Sequence, residues 1–148
     1  GELSFTIVGS NPTAAVLALR SVPGVEVTGR VEDVRPYVWR ADASVAPIRI
    51  ARGVQNKVLE AMSMGRPTVA TPAAFEGIDA VPGHEIVVAP AEAAAFAKAV
   101  ASILQNEPAA AAMGSSARKA VEARHGWKRQ MGILEALCAE ERGDIGPC

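Results

Sequence analysis

The sequence predicts an α/β fold: a Rossmann-like parallel sheet with helices on both faces, followed by a helical C-terminal segment. Three observations lead there. Short β-rich apolar runs alternate with helix-forming stretches up to Pro90. Those runs end at turn residues, as in Val8-Gly9, Thr28-Gly29, Ala46-Pro47 and Ala89-Pro90. Beyond Pro90 the chain turns alanine-rich, with apolar residues at helical spacing. Strands separated by helices pair in parallel, because a parallel neighbour is reached only by a crossover.

In order, Ser4–Val8 reads as a buried strand stopped by Gly9-Ser-Asn-Pro12. Pro12 suits a helix start, and Ala14 to Arg20 carries helix formers as far as Val22-Pro-Gly24. Val25 to Thr28 forms a second strand ending at Gly29. Asp33 is the expected N-cap of a short helix holding Pro36, Tyr37, Val38 and Trp39. Such a helix more often buries its rings in the core than stacks them on a base. Ala43 to Pro47 is the third strand. A helix from Asn56 to Met64 follows, ended by Gly65 and Pro67. Thr68–Thr71 and His84–Ala89 are the fourth and fifth strands. Helices then run from Ala91 to Leu104, with Phe96, Val100, Ile103 and Leu104 on one face, from Pro108 to Arg124, and from Trp127 to Glu141. Residues 1–142 read as a single domain and 143–148 as a frayed tail.

The bulk numbers exclude several classes. With 148 residues the chain can bury roughly 70% of its unfolded surface, and 49% apolar residues rule out disorder. A net charge of −1 carries no signature of a nucleic-acid partner, so anion binding must be local. No apolar run approaches the about 20 residues of a membrane span, and no signal peptide is recognisable. Cys138 and Cys148 form no C-x-x-C or Cys/His ligand cluster, so no metal is expected. They read as free thiols in a reducing cytoplasm, with a tail disulfide as the alternative. His84 and His125 have no serine or cysteine beside them with triad logic.

The richest stretch runs from Ala46 to Thr71: a strand end, a basic glycine-containing loop, a helix and another strand. A loop of this kind entering a helix is an anion site, because free N–H groups and the helix dipole converge there. Arg49, Arg52, Lys57 and Arg66 surround one acid, Glu60. That set suits a diphosphate with hydroxyls nearby, as in a nucleotide sugar. Gly53, Val54, Gln55 and Asn56 can offer backbone N–H groups, Gly53 permitting close approach. The plain reading is a helix-entry turn capped by Asn56. Lys57 sits at the positive end of the dipole, a misfit that an anion would relieve. Arg49 and Arg52 read equally well as phosphate contacts or as solvated loop charges. In α/β sheets ligands bind at strand carboxyl ends, so Gly9, Gly29 and the Pro47–Gly53 loop are expected to converge.

These residues resemble the C-terminal, donor-binding domain of GT-B glycosyltransferases of group 1. The likeness is carried by Phe5-Thr-Ile-Val-Gly9, Val25-Glu-Val-Thr-Gly29-Arg-Val31, Val45-Ala-Pro47, and Lys57-Val-Leu-Glu-Ala-Met62 with Gly65-Arg-Pro-Thr-Val-Ala-Thr71. It covers roughly residues 3 to 130. The run Ile50-Ala-Arg-Gly-Val-Gln-Asn-Lys57 further resembles sugar transferases of bacterial exopolysaccharide synthesis, including a subgroup associated with PEP-CTERM protein sorting. The resemblance implies transfer of a sugar, with retention, from a nucleoside-diphosphate sugar to an acceptor saccharide or lipid-linked saccharide. No tightly bound cofactor and no metal are implied. It implies a cytoplasmic enzyme, peripheral at the inner membrane in its full-length form.

By the same resemblance Glu60 would accept hydrogen bonds from the ribose hydroxyls, and Gly29, Arg30 and Val31 would wall the base pocket. Where the family carries the first glutamate of Glu-x7-Glu, this chain has Arg52. A cation cannot accept from sugar hydroxyls. Either Arg52 faces a phosphate, where it could serve catalysis, or the donor sugar carries a carboxylate, or another residue reads the sugar. The family's first strand–helix unit and its N-terminal acceptor domain are both missing, so the chain alone is expected to bind nucleotide weakly and transfer nothing. Two alternatives stand beside this reading: a GT-B nucleotide-sugar 2-epimerase, and a non-catalytic nucleotide- or partner-binding α/β module.

Overall fold

The structure is a computed structural model that describes residues 3–126 and residue 131. The expected helix from Trp127 to Glu141 (Met131 apart), the tail at 143–148, and both cysteines lie outside the described residues. The chain divides between Ala41 and Asp42 into two compact units.

In the first unit β1 (Phe5–Val8) pairs in parallel with β2 (Val25–Gly29), Phe5 opposite Val25 and, after a register irregularity, Val8 opposite Gly29. The crossover is α1 (Ala14–Ala18), tightening into a 3-10 turn at Leu19–Ser21. The helix is shorter than the predicted Ala14–Arg20. The Ser21 hydroxyl donates to Ala18 O at 2.8 Å, and the Arg20 guanidinium turns away to donate to Val27 O at 3.1 and 2.5 Å. β1 is less buried than predicted: Phe5 keeps 41% of its surface exposed, and β1 pairs only with β2 among the described residues.

α2 (Arg35–Arg40) follows. Its cap position is Val34 rather than Asp33. Asp33 instead accepts the Arg35 N–H at 2.9 Å and pairs with the Arg35 guanidinium, so one carboxylate serves both backbone and side chain. Tyr37 and Trp39 are not in the core as predicted. They are 37% and 63% exposed, because a helix of six residues turns one narrow apolar line inward, and Val38 occupies it.

The second unit holds β3 (Ser44–Ala46), β4 (Thr68–Ala70) and β5 (Val87–Val88), all parallel, in the order β3-β4-β5. Side chains alternate faces along each strand. Ala46, Ala70 and Val88 enter one core with Val58 and Met62 of α3 (Asn56–Ser63), Ala74 of α4 (Pro72–Phe75) and Ala117 of α6 (Glu107–Arg124). Val45, Val69 and Val87 enter the other with Phe96, Val100 and Ile103 of α5 (Ala93–Leu104). Helices therefore cover both faces of this sheet, as predicted.

α4 was not anticipated, although Thr71-Pro72 is a start signal: the Thr71 hydroxyl accepts from Ala74 N at 3.3 Å and Pro72 needs no N–H partner. The predicted strand His84–Ala89 shrinks to two residues plus a bridge between Pro82 and Ile86, because residues 81–86 form a turn closed by Glu85 N–H to Val81 O at 2.9 Å. α3 ends in a Schellman motif. Gly65, at φ +70°, donates to Met62 O at 2.9 Å, and Arg66 donates to Ala61 O at 3.0 Å.

Candidate functional site

The segment leaving β3 is braced before it reaches α3. Thr71 N–H donates to Ala46 O at 3.2 Å, and the Thr71 hydroxyl donates to Ile48 O. Farther along, Val54 lies against Gly77, where a Cβ would come 3.0 Å from Val54 Cγ2. The loop between these anchors turns at Gly53, whose φ is +75°, a backbone that a residue with a Cβ adopts only at a cost. The Gln55 side chain donates to Gly53 O at 3.0 Å, holding the turn.

Gln55, not Asn56, takes the cap position of α3, and it makes no side-chain cap bond. Asn56 is the first helical residue. The N–H groups of Val58 and Leu59 reach Gln55 O at 2.9 and 3.4 Å, while those of Asn56 and Lys57 find no acceptor among the described residues. Two donors at the positive end of a helix dipole are thus left for solvent or an anion.

The helical period sorts the side chains of α3. Val58, Ala61 and Met62 are buried, and Asn56, Lys57 and Glu60 are exposed. Lys57 and Glu60, three apart, share the exposed face. Arg49, Arg52, Lys57 and Glu60 enter no ion pair among the described residues. Ile50, at 86% exposure, stands between the arginines. This arrangement can take a phosphate-bearing ligand: N–H donors and three exposed cations at the loop, and a carboxylate one turn along the helix to accept from hydroxyls.

The first unit brings together Gly9 and Gly29–Val31. Gly9 N–H donates to Gly29 O at 3.3 Å at the carboxyl ends of β1 and β2. A cleft of about 430 Å³ opens there, lined by Gly9, Ser10, Asn11, Arg30, Val31 and Val34. Ser10 and Asn11 were not singled out from sequence; the Asn-Pro pair after a strand-ending glycine was the available signal.

His84 is exposed, and Glu76 lies exposed in the turn after α4. Met62 is fully buried and fills the core. Among the described residues no cluster of His, Cys, Asp and Glu could hold a metal ion, and no helix is long and apolar enough to cross a membrane.

Parallel strands with crossover helices, and a basic loop opening a helix at a strand carboxyl end, define a domain of the GT-B kind. Residues 2–106 match the family model described as glycosyl transferases group 1, and the chain belongs to that family. Among solved structures, HepE from Anabaena in complex with UDP is similar at TM-score 0.78 and 17% identity, over 93% of this chain and 41% of that one. Sucrose-phosphate synthase from Thermosynechococcus elongatus is similar at TM-score 0.75 and 23% identity, over 92% and 38%. WaaG, a glycosyltransferase of lipopolysaccharide biosynthesis, follows at 0.70 and 18%, over 84% and 35%. The chain therefore spans about two fifths or less of these proteins' length. No curated protein matches the sequence.

Proposed function

We propose that this chain is the donor-binding portion of a glycosyltransferase that moves a sugar, with retention, from a nucleoside-diphosphate sugar to an acceptor hydroxyl in bacterial exopolysaccharide or glycoconjugate synthesis. The observation that carries the reading is the start of α3, where, among the described residues, the N–H groups of Asn56 and Lys57 have no acceptor and the cations Arg52 and Lys57 no ion-pair partner, with Glu60 one turn on. In this reading Gly53 to Lys57 hold the diphosphate and Glu60 accepts from the ribose hydroxyls. Gly29, Arg30 and Val31 flank the base. The complexes of HepE with UDP support a nucleotide ligand for this fold.

The chemistry follows from charge. As the glycosidic bond to phosphate breaks, negative charge builds on the departing diphosphate. Fixed N–H donors and the ammonium and guanidinium groups stabilise that charge more strongly than they stabilise the ground state. These cations serve the role without a metal. Acceptor binding belongs to the N-terminal acceptor domain of the full-length enzyme, a cytoplasmic protein peripheral at the inner membrane. The loop carries no acid or histidine from Arg49 to Asn56, which disfavours the 2-epimerase reading.

Calorimetric titration of the chain with UDP, ADP, GDP and CDP tests the proposal. Binding of a nucleoside diphosphate, weakened at least about tenfold by Glu60→Ala, is expected, since a bidentate charge-assisted contact is lost. Failure of all four to bind overturns it. Sugar transfer by the chain alone would overturn its assignment as the donor portion only.

A further inference from the structure

We infer that Asn11 is the specificity-determining residue for the base, its carboxamide reading the donor and acceptor groups on the base edge. This rests on the donor-binding reading above and adds a residue to it.

The first observation is backbone cost. Asn11 has φ 53° and is the non-glycine residue at positive φ among the described residues. The other positive-φ positions (24, 29, 53, 65, 77 and 83) are all glycine. A turn needs only glycine there. Asn tolerates this region better than other residues with a Cβ, yet still less well than glycine. Pro12 adds to the cost by biasing the residue before it toward extended backbone. A side chain kept at such a place points to a use for that side chain.

The second observation is the surroundings. Asn11 lines the cleft of about 430 Å³ with Gly9, Ser10, Arg30, Val31 and Val34. Val31 and Val34 offer apolar surface to a ring. Arg30 only donates, and the Ser10 hydroxyl rotates freely. The Asn11 carboxamide alone presents donors and an acceptor in one rigid plane, matching a base edge where an N–H lies beside a carbonyl or ring nitrogen. It makes no hydrogen bond among the described residues, so both groups remain to be used by a ligand.

The test is titration of the 148-residue chain and its Asn11→Gly and Asn11→Asp variants with UDP, CDP, ADP, GDP and inorganic pyrophosphate. Asn11→Gly keeps the turn, so thermal stability holds or rises. Affinity for the preferred nucleotide falls about tenfold and discrimination among bases flattens, while pyrophosphate affinity stays unchanged. Asn11→Asp loses its donors and shifts preference toward GDP, whose N1–H and N2–H are adjacent donors. Unchanged base preference in Asn11→Gly, with Glu60→Ala still weakening nucleotide binding, overturns the inference and leaves the donor-site reading intact. No nucleotide binding by the unaltered chain overturns both.

Discussion

Arg124 holds both oxygens of the Glu85 carboxylate: Nη1 donates to Oε2 at 2.7 Å and Nη2 to Oε1 at 3.1 Å. The pair joins the last turn of α6 to the turn before β5. Glu85 is buried, and its Oε2 also accepts from Val81 N–H at 2.7 Å. The Arg124 hydrogen bonds hold its carboxyl below the ordinary value of 4.5, outweighing the burial that pushes it up. Removing either partner leaves the other under-satisfied in a site with little water.

Glu85→Gln is therefore expected to lower the melting temperature at pH 7 by on the order of 5 °C. A carboxyl with a depressed folded-state pKa stabilises the protein above its unfolded value and loses that contribution as pH falls through the folded one. The gap between the unaltered chain and Glu85→Gln should be full at pH 7 and close below pH 4.5. Melting curves from pH 7 down to 3 check this; a gap constant across that range would refute it.

Gly114 lets α6 cross the end of α3 backbone to backbone. A Cβ at this position would fall 2.1 Å from the Gly65 carbonyl oxygen. Gly→Ala inside a helix ordinarily stabilises by up to about 1 kcal/mol. Here Gly114→Ala should destabilise by about 1–3 kcal/mol, because the obstacle is backbone and cannot swing aside. Urea denaturation measures the sign.

Thr71 is the joint between the exit of β3 and the start of α4. Thr71→Val keeps the shape but removes the hydroxyl that donates to Ile48 O and caps Ala74 N. A loss of about 1–3 kcal/mol follows from the stranded groups. Nucleotide affinity should fall as well, since Ile48 anchors the loop that leads to Gly53. Unfolding and calorimetry on the same variant separate the two effects.

Arg52 is solvent-exposed and unpaired among the described residues, so its replacement should leave stability unchanged. If it faces phosphate, Arg52→Ala weakens nucleoside diphosphate binding by about fivefold to tenfold at low salt. The difference shrinks as ionic strength rises, since screening acts on exposed charges. Equal affinities for variant and unaltered chain at low salt would assign Arg52 elsewhere.

Local signals determined much of this protein from the sequence alone. Glycine and proline punctuation set the order and type of nearly every element. The bounds of α3 were legible to within a residue, because Gly65 and Pro67 end the helix by local chemistry. The motifs resembled those of a known family, and the match over residues 2–106 bears that resemblance out. What only the tertiary structure decided depends on partners far along the chain. Glu85 meets Arg124 across 39 residues, a pairing that ties the turn before β5 to the end of α6. Thr71 meets Ile48 across 23 and braces the loop. Tyr37 and Trp39 stay exposed because the sides of a short helix are filled by what packs on it, not by their own hydrophobicity. Asn11 reads as an ordinary turn residue until its backbone and the cleft around it are seen together. No window of local sequence contains both halves of such a contact, so the fold had to form before they could be read.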